Sequence, residues 1–230
     1  AMRKAIEDHN EISRIITEIG NFRKAENPNI TGYEFHVIEL VSQVCPHYLI
    51  KPYLEETLEE LKTREPEEKF PFRAKVVLVG SEIDDPDFTK LVESCGAMVV
   101  ADRYCFGSFP GREQIEIRDG ESAYDAICRH YLFWNQCARF MDGEKIDQRH
   151  SEVKRLVDEF HANGIIYENM KFCEFWSYEK VLANHIFTEE LHIPCCTIEK
   201  EYALGAVGQL RTRFQAFIES LEIKSIQGGK

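Results

Sequence analysis

Four short apolar runs, none of them alternating with polar residues, decide what this chain can become. They are AKVVLV at 74–79, AMVVA at 97–101, GIIY at 164–167 and PCCTI at 194–198. A strand with one wet face alternates, whereas a continuous apolar run of this length suits a strand covered on both faces. The stretches between them carry helical periodicity, over 87–95, 122–141, 149–163, from about 177, and after Gly205. Strands and helices in alternation predict an α/β fold: a four-stranded or slightly larger parallel sheet in a flavodoxin- or Rossmann-like three-layer sandwich. Leu210, Phe214, Phe217, Ile218 and Leu221 form the stripe by which the last helix should pack on that sheet.

The first 65 residues contain no such run. Ile6, Ile12, Ile15, Ile16 and Ile19 predict a helix over 3–22, ended by Gly20-Asn21. Thr31 is placed to cap a second helix running to about 44, and Leu54, Leu58 and Leu61 mark a third over 52–62 that opens with Pro52. The charged, proline-bearing segment EPEEKFPF follows. The expected organisation is a helical segment at 1–69, an α/β domain at 70–224 and a disordered-type tail at 225–230.

Charge and composition exclude several classes. A net charge of −12 argues against binding nucleic-acid phosphates, which needs clustered Lys and Arg. No apolar run approaches the roughly 20 residues that span a bilayer, so no membrane partner is expected. The eight cysteines include no CxxC and only one adjacent pair. Without a secretory signal, that pattern reads as reduced thiols in a cytoplasmic protein rather than a disulfide framework.

In a parallel sheet every strand ends at one edge, and ligands bind there. The residues following each run therefore form the candidate site: Ser81 and Glu82 after the first, and Asp102, Arg103, Tyr104, Cys105, Gly107 and Ser108 after the second. Met170, Lys171 and Cys173 follow the third, and Glu199 and Tyr202 the fourth. The segment from Gly107 to Arg112 has glycines and a base, so a phosphate site is conceivable. It matches neither GxxxxGK[ST] nor GxGxxG, and a stiff surface loop is the preferred reading. Cys195 and Cys196 alternate on one strand and should face opposite sides of the sheet. No histidine pair has zinc-ligand spacing, and no GxSxG elbow is present.

Asn169-Met-Lys-Phe-Cys173 with the helix after it, Ile193-Pro194, Glu199-Lys-Glu-Tyr202, and the run from Gly208 to Phe217 resemble one family in order and spacing. It is the family of 2-hydroxyacyl-CoA dehydratases and class I benzoyl-CoA reductases. The resemblance covers nearly the whole chain and implies the carboxyl-terminal half of a larger iron–sulfur subunit. It further implies that Cys173 ligates a [4Fe–4S] cluster whose other ligands lie in the first half, so this chain alone should not hold a stable cluster. The implied partners are a homologous iron–sulfur subunit, an ATP-dependent activator that delivers single electrons, and an acyl-CoA substrate. Ketyl-radical chemistry would then lead to dehydration or to ring reduction, and the block from Asp102 to Gly107 inclines toward the reductases. The alternative is a non-catalytic partner subunit or binding module.

Overall fold

The computed structural model describes residues 1–66, 71–109, 112–133, 136–140, 142–203 and 205–228, the side chain of Gly228 excepted. Its centre is a four-stranded parallel sheet of β1 (Ala74–Gly80), β2 (Ala97–Arg103), β3 (Gly164–Met170) and β4 (Cys195–Lys200), in the order β2-β1-β3-β4. The helices are α1 (Met2–Asn21), α2 (Gly32–Val44), α3 (His47–Leu61), α4 (Pro86–Ser94), α5 (Ala123–Phe133), α6 (Gly143–Glu159), α7 (Glu174–His185) and α8 (Val207–Gly228). A 3-10 turn at Phe22–Lys24 follows α1, and a π turn at Ile186–Glu190 follows α7.

The unalternating runs are explained by what lies on each face of the sheet. Val76 and Leu78 of β1, Val99 of β2 and Ile166 of β3 pack with Phe88, Leu91 and Val92 of α4 and with Leu210, Phe214, Ile218 and Leu221 of α8. Val77, Val79, Met98, Ile165 and Tyr167 point the other way, into Val153, Leu156 and Val157 of α6 and Trp176 and Ala183 of α7. This is the expected three-layer sandwich, with the expected stripe of α8 on the sheet. Cys196 packs with the first layer and Cys195 with the second, as alternation along a strand requires.

The helical segment packs around its own core of Ile12, Ile15, Ile16, Ile19, Ile30, Phe35, Ile50, Leu54, Leu58 and Leu61. It is also joined to the sheet layer by polar contacts. Thr31 and Glu34 form a capping box at the start of α2. The buried carboxylate of Glu93 on α4 accepts from the Gly32, Tyr33 and Val99 amides at 2.8, 3.1 and 3.2 Å. His36 meets Thr89 Oγ1 at 2.9 Å and the Ile83 carbonyl at 3.1 Å. A second buried tie joins α6 to α7, where Arg149 and His150 each reach a Glu179 carboxylate oxygen at 2.6 Å.

Several boundaries differ from expectation. The third helix begins at His47, so Pro52 lies inside it rather than at its first turn; one missing amide near the start costs a single hydrogen bond while Ile50, Leu54 and Leu58 stay buried on one stripe. The helix expected over 122–141 stops at Phe133, and the next begins at Gly143 because the Asp142 side chain caps Lys145 N. β2, β3 and β4 extend past their apolar runs to Arg103, Met170 and Lys200. α7 starts directly after Cys173 rather than near Ser177. Where a tail was expected from 225, α8 continues to Gly228. The boundary expected near Lys69 lies outside the described residues.

Gly32 shows how tightly α2 is set. A Cβ there would lie 2.6 Å from both the carbonyl oxygen and the Cβ of Val99 and 2.9 Å from Glu93 Oε1. Gly32→Ala should therefore lower stability by about 2 kcal/mol in urea titration, in the range of overpacking changes. A wild-type midpoint for the variant would refute the close seating of α2 on β2.

Candidate active site at the carboxyl edge of the sheet

β1 connects outward to β2 on one side and β3 connects outward to β4 on the other, so the connections leaving β1 and β3 diverge between these two strands. Such a switch point opens a crevice at the carboxyl ends of the strands. Ser81 and Glu168 meet there.

Glu168 is fully buried on β3. Ser81 N–H and Oγ donate to its Oε2 at 3.0 and 2.9 Å, and Ser81 Oγ in turn accepts from Met170 N–H at 2.7 Å. The Ser81 carbonyl accepts from Cys105 N–H at 2.8 Å. The ends of β1, β2 and β3 thus converge on one serine. Gly80 permits the approach, since a Cβ on it would stand 2.4 Å from the Glu168 carbonyl oxygen. Glu168 Oε1 has no hydrogen-bond partner among the described residues, and the Lys200 ammonium stands 3.8 Å away. Burial raises the Glu168 carboxyl to about 7, with Lys200 and the Ser81 donors opposing the rise.

Cys173 is half-buried at the N-cap of α7. Its N–H donates to the Met170 carbonyl at 3.1 Å, and its carbonyl accepts from Ser177 N–H and Oγ, both at 3.0 Å. Asn169 Nδ2 donates to the same Ser177 hydroxyl at 3.1 Å. Beside the cysteine, Phe172 holds a left-handed φ of 72° and is 95% exposed. Strained aromatic backbone of this kind is uncommon outside functional loops. Cys105 lies half-buried in the same region; burial first, then the neighbouring Glu82, Cys137, Cys173 and Glu168, push its thiol up to about 12.

The remaining sequence-selected residues fall into two other places. Lys171 and Glu199 line a separate cavity of about 220 Å³ with Lys200, Glu201, Gly205 and Arg213. Lys171 pairs there with Glu201 at 2.9 Å and Glu199 with Lys180 at 3.4 Å. Tyr202 is exposed, its hydroxyl on Asp84 at 2.5 Å. Arg213 donates to the Thr197 carbonyl at 2.6 Å.

The block from Asp102 to Ser108 is not a surface loop. Asp102 and Arg103 are the last residues of β2 and are buried, as is Tyr104. Asp102 pairs with Arg23 at 3.3 Å and accepts from Ser108 N–H at 2.7 Å, so it faces the helical segment. Arg103 donates to Gln136 and to the Ser108 carbonyl, and Tyr104 OH reaches Glu39 at 3.3 Å. Gly107 is needed because a Cβ would come within 2.5 Å of Asp102 Oδ2. Arg112, the base that made a phosphate site conceivable, pairs with buried Glu39, while Pro110 and Gly111 lie outside the described residues. His192 lies in the loop before β4 with a φ of 56°.

None of the eight cysteines forms a disulfide. An iron–sulfur cubane takes three or four protein ligands, usually thiolates. Among the described residues no group of three or more His, Cys, Asp or Glu is arranged to hold a metal ion. The described residues therefore do not make a complete cluster site. Sequence reasoning passed over Glu168, because a charged residue ending an apolar run reads as the start of a loop. The available signal was the Gly80-Ser81 pair, small residues ending the neighbouring strand.

Glu168 also predicts a pH dependence. A carboxyl in the unfolded chain ionises near 4.5, whereas in the folded protein this one resists until about 7. Its contribution to stability is present in full below pH 4.5 and is lost as pH rises through 7, on the order of 1–3 kcal/mol. Glu168→Gln should flatten the fall of the thermal midpoint between pH 5 and 8. An unchanged slope in the variant would contradict the raised carboxyl.

Comparison with known proteins agrees with the residue reading. The model of the family described as 2-hydroxyglutaryl-CoA dehydratase, D-component, matches residues 1–221. The (R)-phenyllactyl-CoA dehydratase beta subunit of Clostridium sporogenes is 24% identical over 222 residues, 96% of this chain and 57% of that protein. YjiM of Escherichia coli (strain K12), whose name calls it a dehydratase subunit, is 28% identical over 151 residues, 65% of this chain and 38% of that protein. The chain thus spans about half the length of these relatives. No helix among the described residues is long and apolar enough to cross a membrane. From the first helix to the last, this chain belongs to the 2-hydroxyglutaryl-CoA dehydratase D-component family.

Proposed function

We propose that the chain is the part of a 2-hydroxyacyl-CoA dehydratase subunit that presents Cys173 as one ligand of a [4Fe–4S] cluster, the other ligands lying outside this chain. The observation that carries the reading is the placement of Cys173 at the N-cap of α7, half-buried on the carboxyl edge of a parallel sheet and fixed at both its N–H and its carbonyl. The family match over 1–221 supports the dehydratase assignment.

When bound, such a cluster would supply single-electron reduction of an acyl-CoA thioester. The chain's own part is positional: β3 and α7 hold the cysteine loop, Trp176 and Phe109 close the layer beneath it, and Ser81 ties the loop to β1. An ATP-dependent activator and a homologous second subunit are the proposed partners, in the cytoplasm of an organism living without oxygen. Dehydration is preferred to ring reduction because both the family description and the named beta subunit are dehydratases. The block from Asp102 to Gly107, which inclined toward the reductases, makes buried contacts with Arg23 and Glu39 of the helical segment.

The non-catalytic alternative, a subunit that assembles with a cluster-bearing enzyme, is separated from this reading by iron. The full-length subunit, reconstituted anaerobically with iron and sulfide, should show cluster absorbance that Cys173→Ala abolishes and Cys196→Ala leaves in place. A Cys173→Ala protein with undiminished iron and sulfide would eliminate the ligand role.

A further inference from the structure

Cys173 sits on a short bridge between β3 and α7 whose downstream end is fastened by Ser177. The upstream end is fastened by Ser81, which accepts from Met170 N–H. A serine hydroxyl has one proton and two lone pairs, so what it accepts depends on where its proton points. That direction is set by Glu168, which takes the Ser81 Oγ proton at Oε2 and also accepts the Ser81 amide. Nothing in the dehydratase assignment uses Glu168.

We infer that Glu168 is the positioning residue of the Cys173 loop, acting through Ser81. The carboxylate orients the hydroxyl, the hydroxyl holds Met170 N–H, and the Met170 carbonyl holds Cys173 N–H, so the carboxylate and the Cys173 backbone amide are linked through consecutive hydrogen bonds. Between these ties Lys171 N–H is held by the Lys200 carbonyl of β4 at 2.8 Å, and Phe172 takes up the left-handed turn. A purely structural acid would be expected to have both oxygens satisfied. Here, among the described residues, Oε1 has no hydrogen-bond partner and the Lys200 ammonium stands 3.8 Å away, while Oε2 is committed to Ser81. The groups facing Glu168 are Lys200 from β4, Ser81 and Glu82 from the end of β1, and Cys105 from the end of β2.

The inference deepens the ligand reading of Cys173 and rests on it for its consequence, but its test needs no cluster. The 230-residue chain is treated under native conditions with iodoacetamide, and modification of each cysteine is followed by peptide mass spectrometry, with Cys45 of the helical core as internal reference. Ser81→Ala and Glu168→Ala should each speed alkylation of Cys173 relative to Cys45 by about fivefold, as expected when one hydrogen bond holding a loop is lost. Glu168→Gln keeps an oxygen for Ser81, and at pH 6, where the wild-type carboxyl is itself largely neutral, it should restore the wild-type rate. The inference is overturned if Ser81→Ala leaves the Cys173 rate unchanged, if all cysteines speed up together, or if Glu168→Gln behaves like Ser81→Ala. Should Glu168→Ala fail to fold, the serine and glutamine variants decide the matter. Failure here with cluster loss intact in Cys173→Ala would leave the dehydratase reading standing, and the reverse result would remove only the cluster.

Discussion

One carboxylate taken out of water governs how the ends of three strands meet. A buried acid without partners would be costly, so the surrounding backbone has to supply donors. Glu168 draws them from Ser81, and by doing so it fixes the separation of β1 and β3 where their connections part. Gly80 keeps the approach open, and the Cys105 amide closes on the other side of the same serine. The crevice is therefore defined by polar contacts at its floor more than by the apolar layers beneath it. Those layers determine that a sandwich forms, while the polar floor determines what stands at its mouth.

The same device recurs through the chain. Glu93 gathers the first amides of α2, Glu39 takes Arg112 and Tyr104, and Glu179 receives Arg149 and His150. Each buried acid joins elements far apart in sequence. An acidic protein of this kind does not keep all of its negative charge at the surface, and its interior depends on arginine and backbone donors to hold it.

This explains which parts of the fold could be read beforehand. The centres of β1, β2 and β3 were legible, because burial on both faces selects apolar residues there, and half-buried β4 was legible from its short run PCCTI. Their ends were not. Asp102, Arg103, Glu168 and Asn169 are polar, and polarity at the end of an apolar run reads as a loop; their partners lie 79 positions away for Asp102 and 87 for Glu168, beyond the reach of any local pattern. Likewise a glutamate on an amphipathic helix has the pattern of a wet face, yet Glu39, Glu93 and Glu179 are buried. The location of Cys173 was legible, because a sheet edge followed by a helix start is a local feature. The crowding of Asp102 to Ser108 against Arg23 was not, since it required knowing that the first helices fold back over β2.

That folding back has a mechanical side. The amides that open α2 are held by a side chain of α4, and His36 reaches across to Thr89 and the Ile83 carbonyl, so the two parts of the chain share an interior instead of merely touching. A backbone cut between residues 66 and 71 should consequently release nothing. The severed pieces would co-elute and melt in a single transition, and either one made alone would expose apolar surface and seek its complement.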